Sequence, residues 1–253
     1  MLPAQRIALI VLFTILPLAA IAAVGSARPP SDAVHYRQCL SLSSANPAAA
    51  LADADGWARK GGGVPADHCA ALALVNLKRY AEAGARLDRA AGAKGVPNGE
   101  FRVALFDQAG NAWLLAGNGA RAVQSFSAAL TLSAGDADLF ADLARAQAMV
   151  KNWHEVDLDL NAALQLSPRR GDLLILRASA RRALNHYDEA RRDIEAALKL
   201  KPNDGNALLE RGLLRKQLGD LGGARRDFQA ALKASPSGAT AADAKQNLQS
   251  LSP

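Results

Sequence analysis

Only two cysteines, Cys39 and Cys69, occur among the 253 residues, so a four-thiolate zinc site is excluded. Aromatic residues make up 5% of the chain, too few for a row of base-stacking platforms, and nucleic acid is not expected as a partner. The four histidines, His35, His68, His154 and His186, are scattered. No His-Glu-x-x-His, no Gly-x-Ser-x-Gly and no phosphate-cradling glycine loop is present; "GGGVP" at 61–65 has neither the Lys nor the Ser/Thr such a loop needs. These absences argue against an enzyme and against any cofactor or metal.

Charge is absent from one long stretch. Between Arg6 and Arg28 lies an apolar run, Ile7 to Val24, followed by small residues at Ala23, Gly25 and Ala27. A basic start, an apolar centre and a small-residue exit make residues 1–30 an expected secretory signal. Its 18 residues also reach the short edge of a bilayer span. An uncleaved anchor in the inner membrane, with residues from about 30 onward outside the cytoplasm, therefore stays open. In an exported chain two lone cysteines are expected to pair as a Cys39–Cys69 disulfide. The alternative is two buried thiols.

What the chain does contain is repetition. "DEARRDIEAALKLKPND" at 188–204 and "GGARRDFQAALKASPSG" at 222–238 share nine of seventeen positions and begin 34 residues apart. Ala-Ala-Leu recurs at 128–130, 162–164, 196–198 and 230–232, and Pro168, Pro202 and Pro236 follow the last three copies. With repeat starts at Val103, Ala137, Gly171 and Gly205, the eighth place is always small: Gly110, Ala144, Ala178, Gly212. The twenty-seventh is always alanine, and the twenty-fourth is large and apolar: Phe126, Leu160, Ile194, Phe228. Each unit carries two apolar stripes of helical period, split by turn residues such as "GN" at 117–118, "NH" at 185–186 and "GD" at 219–220. One such hairpin cannot bury its own apolar face, so copies must stack.

This pattern resembles the tetratricopeptide repeat family. The resemblance implies an all-α, right-handed superhelical solenoid of antiparallel helix hairpins. It covers 103–238 as four repeats (103–136, 137–170, 171–204, 205–238). A divergent repeat is expected at 64–102, a degenerate first hairpin at 31–63 joined by a flexible glycine triplet, and a capping helix at 239–253. The large aromatic that the family often has at the eleventh place occurs only as Trp113; Gln147, Arg181 and Arg215 replace it.

Net charge is +6. Residues 31–166 hold 12 Lys or Arg against 14 Asp or Glu, while 167–237 hold 15 against 9. The C-terminal half is thus expected to present a basic surface. Arg177 with Asp193, and Arg211 with Asp227, hold matching places and are expected to be structural ion pairs between the two helices of each hairpin, worth little net if exposed. The family resemblance further implies a ligand groove lined by the first helices. It places Asp107, Asn111, Asp138, Arg145, Asp172, Ser179, Arg182, Asn206, Leu213 and Lys216 there. Arg145, Arg182 and Lys216 would form a broken basic line suited to an acidic protein or peptide, and substituting them is expected to leave stability nearly unchanged. The Lys and Asn arrangement by which some members hold a C-terminal carboxylate is not reproduced. The function implied is a protein-interaction scaffold of a bacterial cell envelope. A membrane-anchored assembly factor is the alternative, and an enzyme with an unrecognised site a distant third.

Overall fold

The computed structural model describes residues 32–94, 96 and 99–251. The expected signal or anchor at 1–30 lies outside the described residues. Among those residues the chain forms thirteen α-helices and no strand. They are Asp32–Ala45 (α1), Pro47–Arg59 (α2), Gly63–Asn76 (α3), Tyr80–Gly92 (α4), Glu100–Leu115 (α5), Gly119–Leu132 (α6) and Ala137–Met149 (α7). Trp153–Leu166 (α8), Gly171–Ala183 (α9), Tyr187–Leu200 (α10), Gly205–Gln217 (α11), Leu221–Ala234 (α12) and Gly238–Ser250 (α13) complete the array. Each odd helix up to α11 pairs with the even helix after it, and each even helix packs on the next odd one. This is a tetratricopeptide-like solenoid of hairpins.

The hairpin turns share one construction. From α3 to α12 each joins its two helices through three residues, and the middle one is left-handed: Lys78, Gly117, Lys151, Asn185 and Gly219. The residue after it donates its N–H to a carbonyl five back, as in Asn118 to Trp113 and Asp220 to Arg215. That is the Schellman arrangement, which satisfies the last carbonyls of the first helix. The prolines stop the even helices, because the residue before a proline avoids the α region. Pro168, Pro202 and Pro236 each stand two residues beyond a helix end.

Three local departures have physical reasons. The first two helices are separated by Asn46 alone, whose side chain accepts the Ala49 N–H at 3.2 Å. The glycine triplet at 61–63 is a tight turn and not a flexible joint: Gly61 is left-handed, and Gly62 lies so close to Trp57 that a methyl there would sit 2.5 Å from the indole. Helix α5 begins at Glu100, three residues before the repeat start read from the period. Its Arg102 donates to the carbonyls of Ala93 (3.1 Å) and Val96 (2.5 Å).

The core is a column of alanines and glycines that lets paired helices touch, packed with large apolar side chains. Phe126, Leu160, Ile194 and Phe228 are all buried. Their sizes follow the residue across from them. Opposite the phenylalanines stand Gly110 and Gly212, where an added methyl would meet the ring at 2.6 and 2.5 Å. Opposite Leu160 and Ile194 the repeats tolerate Ala144 and Ala178. Gly212→Ala is therefore expected to destabilise by about 1–3 kcal/mol through overpacking, despite alanine's better helix propensity. Adding Phe228→Leu makes room for the methyl, so the double variant should lose less than the two single losses combined. Urea unfolding of the three variants checks this coupling; strict additivity would refute it.

Candidate ligand-binding groove

The odd helices form the inner layer. Helix α1 packs on α3, α5 on α7, α9 on α11 and α11 on α13, whereas no two even helices from α2 to α12 pack comparably. The side on which successive helices approach is the inside of the curve, so the odd helices line a concave groove and the even ones an outer face.

Between the layers runs a set of polar junctions. Asp193 in α10 accepts from Arg177 Nη2 at 2.6 Å and from Arg181 Nη1 at 2.8 Å. The same arginines reach back to α8, Arg177 to Asn161 at 2.7 Å and Arg181 to Asp157 at 2.7 Å. One repeat later Asp227 accepts from Arg211 at 2.7 Å and Arg215 at 2.6 Å. Asp193 and Asp227 are 4% and 3% exposed, so the structural pairs expected from sequence are buried and the small worth of an exposed pair does not apply to them. Removing one partner of a buried pair costs about 3–5 kcal/mol. Arg181 and Arg215, which had looked only like departures from an aromatic place, supply the second cation. In the repeat starting at Val103 the junction is built differently: Trp113 Nε1 and Ser125 Oγ both donate to Asp88, at 2.8 and 2.7 Å.

The repeat between them has the acid without the arginines. Asp159 holds the place of Asp193 and Asp227, but Leu143 and Gln147 stand where arginines stand later. Its Oδ2 is buried without a hydrogen-bond partner. Burial, with Glu155 nearby, pushes its carboxyl up to about 6. A folded pKa above the unfolded one means that ionising Asp159 opposes folding above about pH 6, and that this penalty fades as pH falls.

The groove cations are all engaged. Arg145 pairs with Asp142 and lies 3.7 Å from Asp172. Arg182 Nε donates to Glu210 at 2.5 Å, and Lys216 Nζ to Asn247 at 3.0 Å and Ser250 at 2.7 Å. They are the links between successive odd helices and not a free basic line. Glu210 is 6% exposed. Burial raises its carboxyl above the usual range, and Arg182 opposes that rise. Replacing Arg182 is therefore expected to destabilise the fold by stranding Glu210, where the sequence alone suggested little effect.

Other groove residues are similarly placed. Asp138 and Asp172 both accept from Arg170, and Asn206 from Thr240. Leu213 packs into the C-terminal apolar cluster with Leu248 and Leu251. Ser179 is half-buried. Asn111 is exposed and donates to Asp107 at 3.1 Å. The Asp107 carboxyl is pushed up to about 6 by burial, then by Asp142 and Asp136. The middle of the groove is thus acidic in character.

At its N-terminal end the groove holds a chain of polar contacts that the sequence reading missed. Tyr36 bonds His68 Nδ1, and His68 Nε2 lies 2.8 Å from Gln108 Oε1. A neutral imidazole satisfies both, and burial lowers its pKa, with the Gln108 bond opposing. The signal was available: His68 is the fifth residue after Val64, counting that residue as the first, a groove place in the looser repeat. A Cys39–Cys69 disulfide, with Cα atoms 6.0 Å apart, joins α1 to α3 beside this cluster. Among the described residues no group of three His, Cys, Asp or Glu side chains is arranged to hold a metal ion.

Residues 176–249 match the tetratricopeptide repeat family. The solved structures agree in fold. A MamA double mutant superimposes with a TM-score of 0.59 at 16% identity, covering 68% of this chain and 94% of that one. YrrB, described as a tetratricopeptide protein with an unusual peptide-binding site, gives 0.57 at 17%, covering 76% and 96%. A thermophilic tetratricopeptide protein of Thermus thermophilus, TTC0263, gives 0.55 at 16%, covering 75% and 98%. No curated protein matches the chain.

Two consequences are measurable. Arg182→Ala strands Glu210 and should cost about 3–5 kcal/mol near neutral pH. The loss should shrink as the pH falls through the raised pKa of Glu210, and Glu210→Gln should restore much of it. Urea unfolding at neutral and mildly acidic pH reads both effects; a loss independent of pH would contradict the assignment. Gln147→Arg gives Asp159 the cation that Arg181 and Arg215 give its counterparts. It should stabilise by on the order of 1 kcal/mol near neutral pH, discounted for the partial exposure of Asp159. That gain should disappear in acid.

Proposed function

We propose that this chain is a non-enzymatic interaction scaffold that works outside the cytoplasm and takes a protein or peptide segment into its concave groove. The observation that carries the groove reading is the continuous inner layer of odd helices. Its side chains link helix to helix while Asn111 stays open to solvent. The acidic character around Asp107, Asp138 and Asp142 favours a segment with cationic or hydrogen-bond-donating groups there, in place of the acidic partner suggested by net charge. The extracytoplasmic reading rests on the apolar run at 7–24 and on the Cys39–Cys69 bond, since disulfides persist in oxidising compartments. Retention of the run would tether the scaffold to the inner membrane.

A photo-crosslinking residue placed at Asn111 or Ser179 should capture a partner in the native cell envelope, and one at Ser127, on the outer face of α6, should not. Asn111→Arg should reduce capture from Ser179 by on the order of tenfold while the melting temperature holds, since exposed substitutions usually fall within about ±0.5 kcal/mol. Equal capture from Ser127 would sink the groove reading. Residues 1–30 fused to a reporter that is active only outside the cytoplasm should give activity; a silent reporter would sink the compartment.

A further inference from the structure

The positive surplus of the C-terminal half has a definite location. Of the fifteen Lys and Arg in 167–237, nine pair with carboxylates. Of the six others, Lys216 lies in the groove, bonded to α13. The remaining five are all exposed and outside the groove. Arg169 lies in the turn before α9, Lys199 on α10, and Arg225, Arg226 and Lys233 on α12. The one carboxylate of α12, Asp227, is buried and held by Arg211 and Arg215. Arg225 donates to the Leu251 carbonyl, so Arg226 and Lys233 are the cations that α12 turns to solvent, with no exposed carboxylate beside them on the helix.

The cations are also in register. Arg226 and Lys233 are seven residues apart on one helix face, about 10 Å along the axis. One unit earlier the same two positions are Arg192 and Lys199, but there Arg192 pairs with Glu189 at 3.6 Å and the exposed Glu195 lies between them, so that face of α10 carries both signs. The cationic row without carboxylates is thus that of α12. In an extended strand, side chains three residues apart are also separated by about 10 Å.

We propose that the outer face of α12 is a second docking surface, for an acidic polypeptide segment with carboxylates about three residues apart. It is separate from the groove, so the scaffold can hold two partners at once. Arginine favours this ligand because its guanidinium fork matches a carboxylate in two hydrogen bonds. A lipid surface fits less well: between Arg225 and Lys233 the exposed residues are polar, and the exposed Leu221 stands only at the start of α12.

The test uses the full chain and a fluorescent oligoglutamate peptide, followed by anisotropy at low and high salt. Binding is expected at low salt and should fall as salt screens it. Arg226→Glu with Lys233→Glu should weaken binding by at least about tenfold, and the Gln pair should weaken it by less. Both variants should melt as the parent does; if the Glu pair fails to fold, the Gln pair carries the comparison. Asn111→Arg, in the groove, should leave peptide binding unchanged, so loss of the groove function and loss of this one are distinguishable. Peptide affinity unchanged in both α12 variants would overturn the proposal. So would sedimentation of the chain with phosphatidylserine vesicles, lost in the α12 variants, when the peptide does not bind.

Discussion

Two helices can lie against each other along a hairpin only if one side of the contact is nearly bare, and every part of this molecule answers to that spacing. The small residue at the eighth place of each repeat faces the large one at the twenty-fourth. Where the large residue is a phenylalanine, even a methyl opposite it is too much. Gly110 with Phe126 and Gly212 with Phe228 form one solution; Ala144 with Leu160 and Ala178 with Ile194 form the other. Both fill the same gap. Because each hairpin keeps the same thickness, the next can stack on it, and the odd helices come to line one continuous surface.

The charges serve that same stacking. Asp193 and Asp227 sit where an odd and an even helix would otherwise bury unlike polar groups, and each is held by two arginines. A buried carboxylate held this way is expensive to disturb although it adds little over an apolar replacement, so its effect is chiefly to fix which helix meets which. Arg182 with Glu210, and Lys216 with Asn247 and Ser250, do the same between neighbouring odd helices. Asp159 is where the scheme lapses, and its raised pKa records the energetic cost.

With most cations committed internally, the two faces acquire opposite character. The middle of the groove keeps an excess of carboxylates around Asp107, while α12 turns Arg226 and Lys233 outward without carboxylate partners. A single net charge of +6 hides this separation. A solenoid suits it physically, because inner and outer helices face different solvent regions and can evolve different ligands without altering the shared core.

The sequence by itself determined the repeat, the all-helical hairpin architecture, the turn sites and the small-against-large core, because those depend on residues a fixed distance apart along the chain. The 34-residue period places Ala129, Ala163, Ala197 and Ala231 at helix contacts however the array curves. It also brought Arg177 to Asp193 and Arg211 to Asp227 as candidates. What it did not determine was burial and competition. Whether Arg182 points at a ligand or at Glu210 depends on a residue 28 positions away on another helix, and His68 meets Tyr36 and Gln108 only once three odd helices stand side by side. The three groove cations are tied to neighbouring helices for that reason: charge adds along a sequence, but pairing is settled by which polar group lies within reach. Stacking is what makes Arg145, Arg182 and Lys216 ties between odd helices and leaves Arg226 and Lys233 of α12 facing outward.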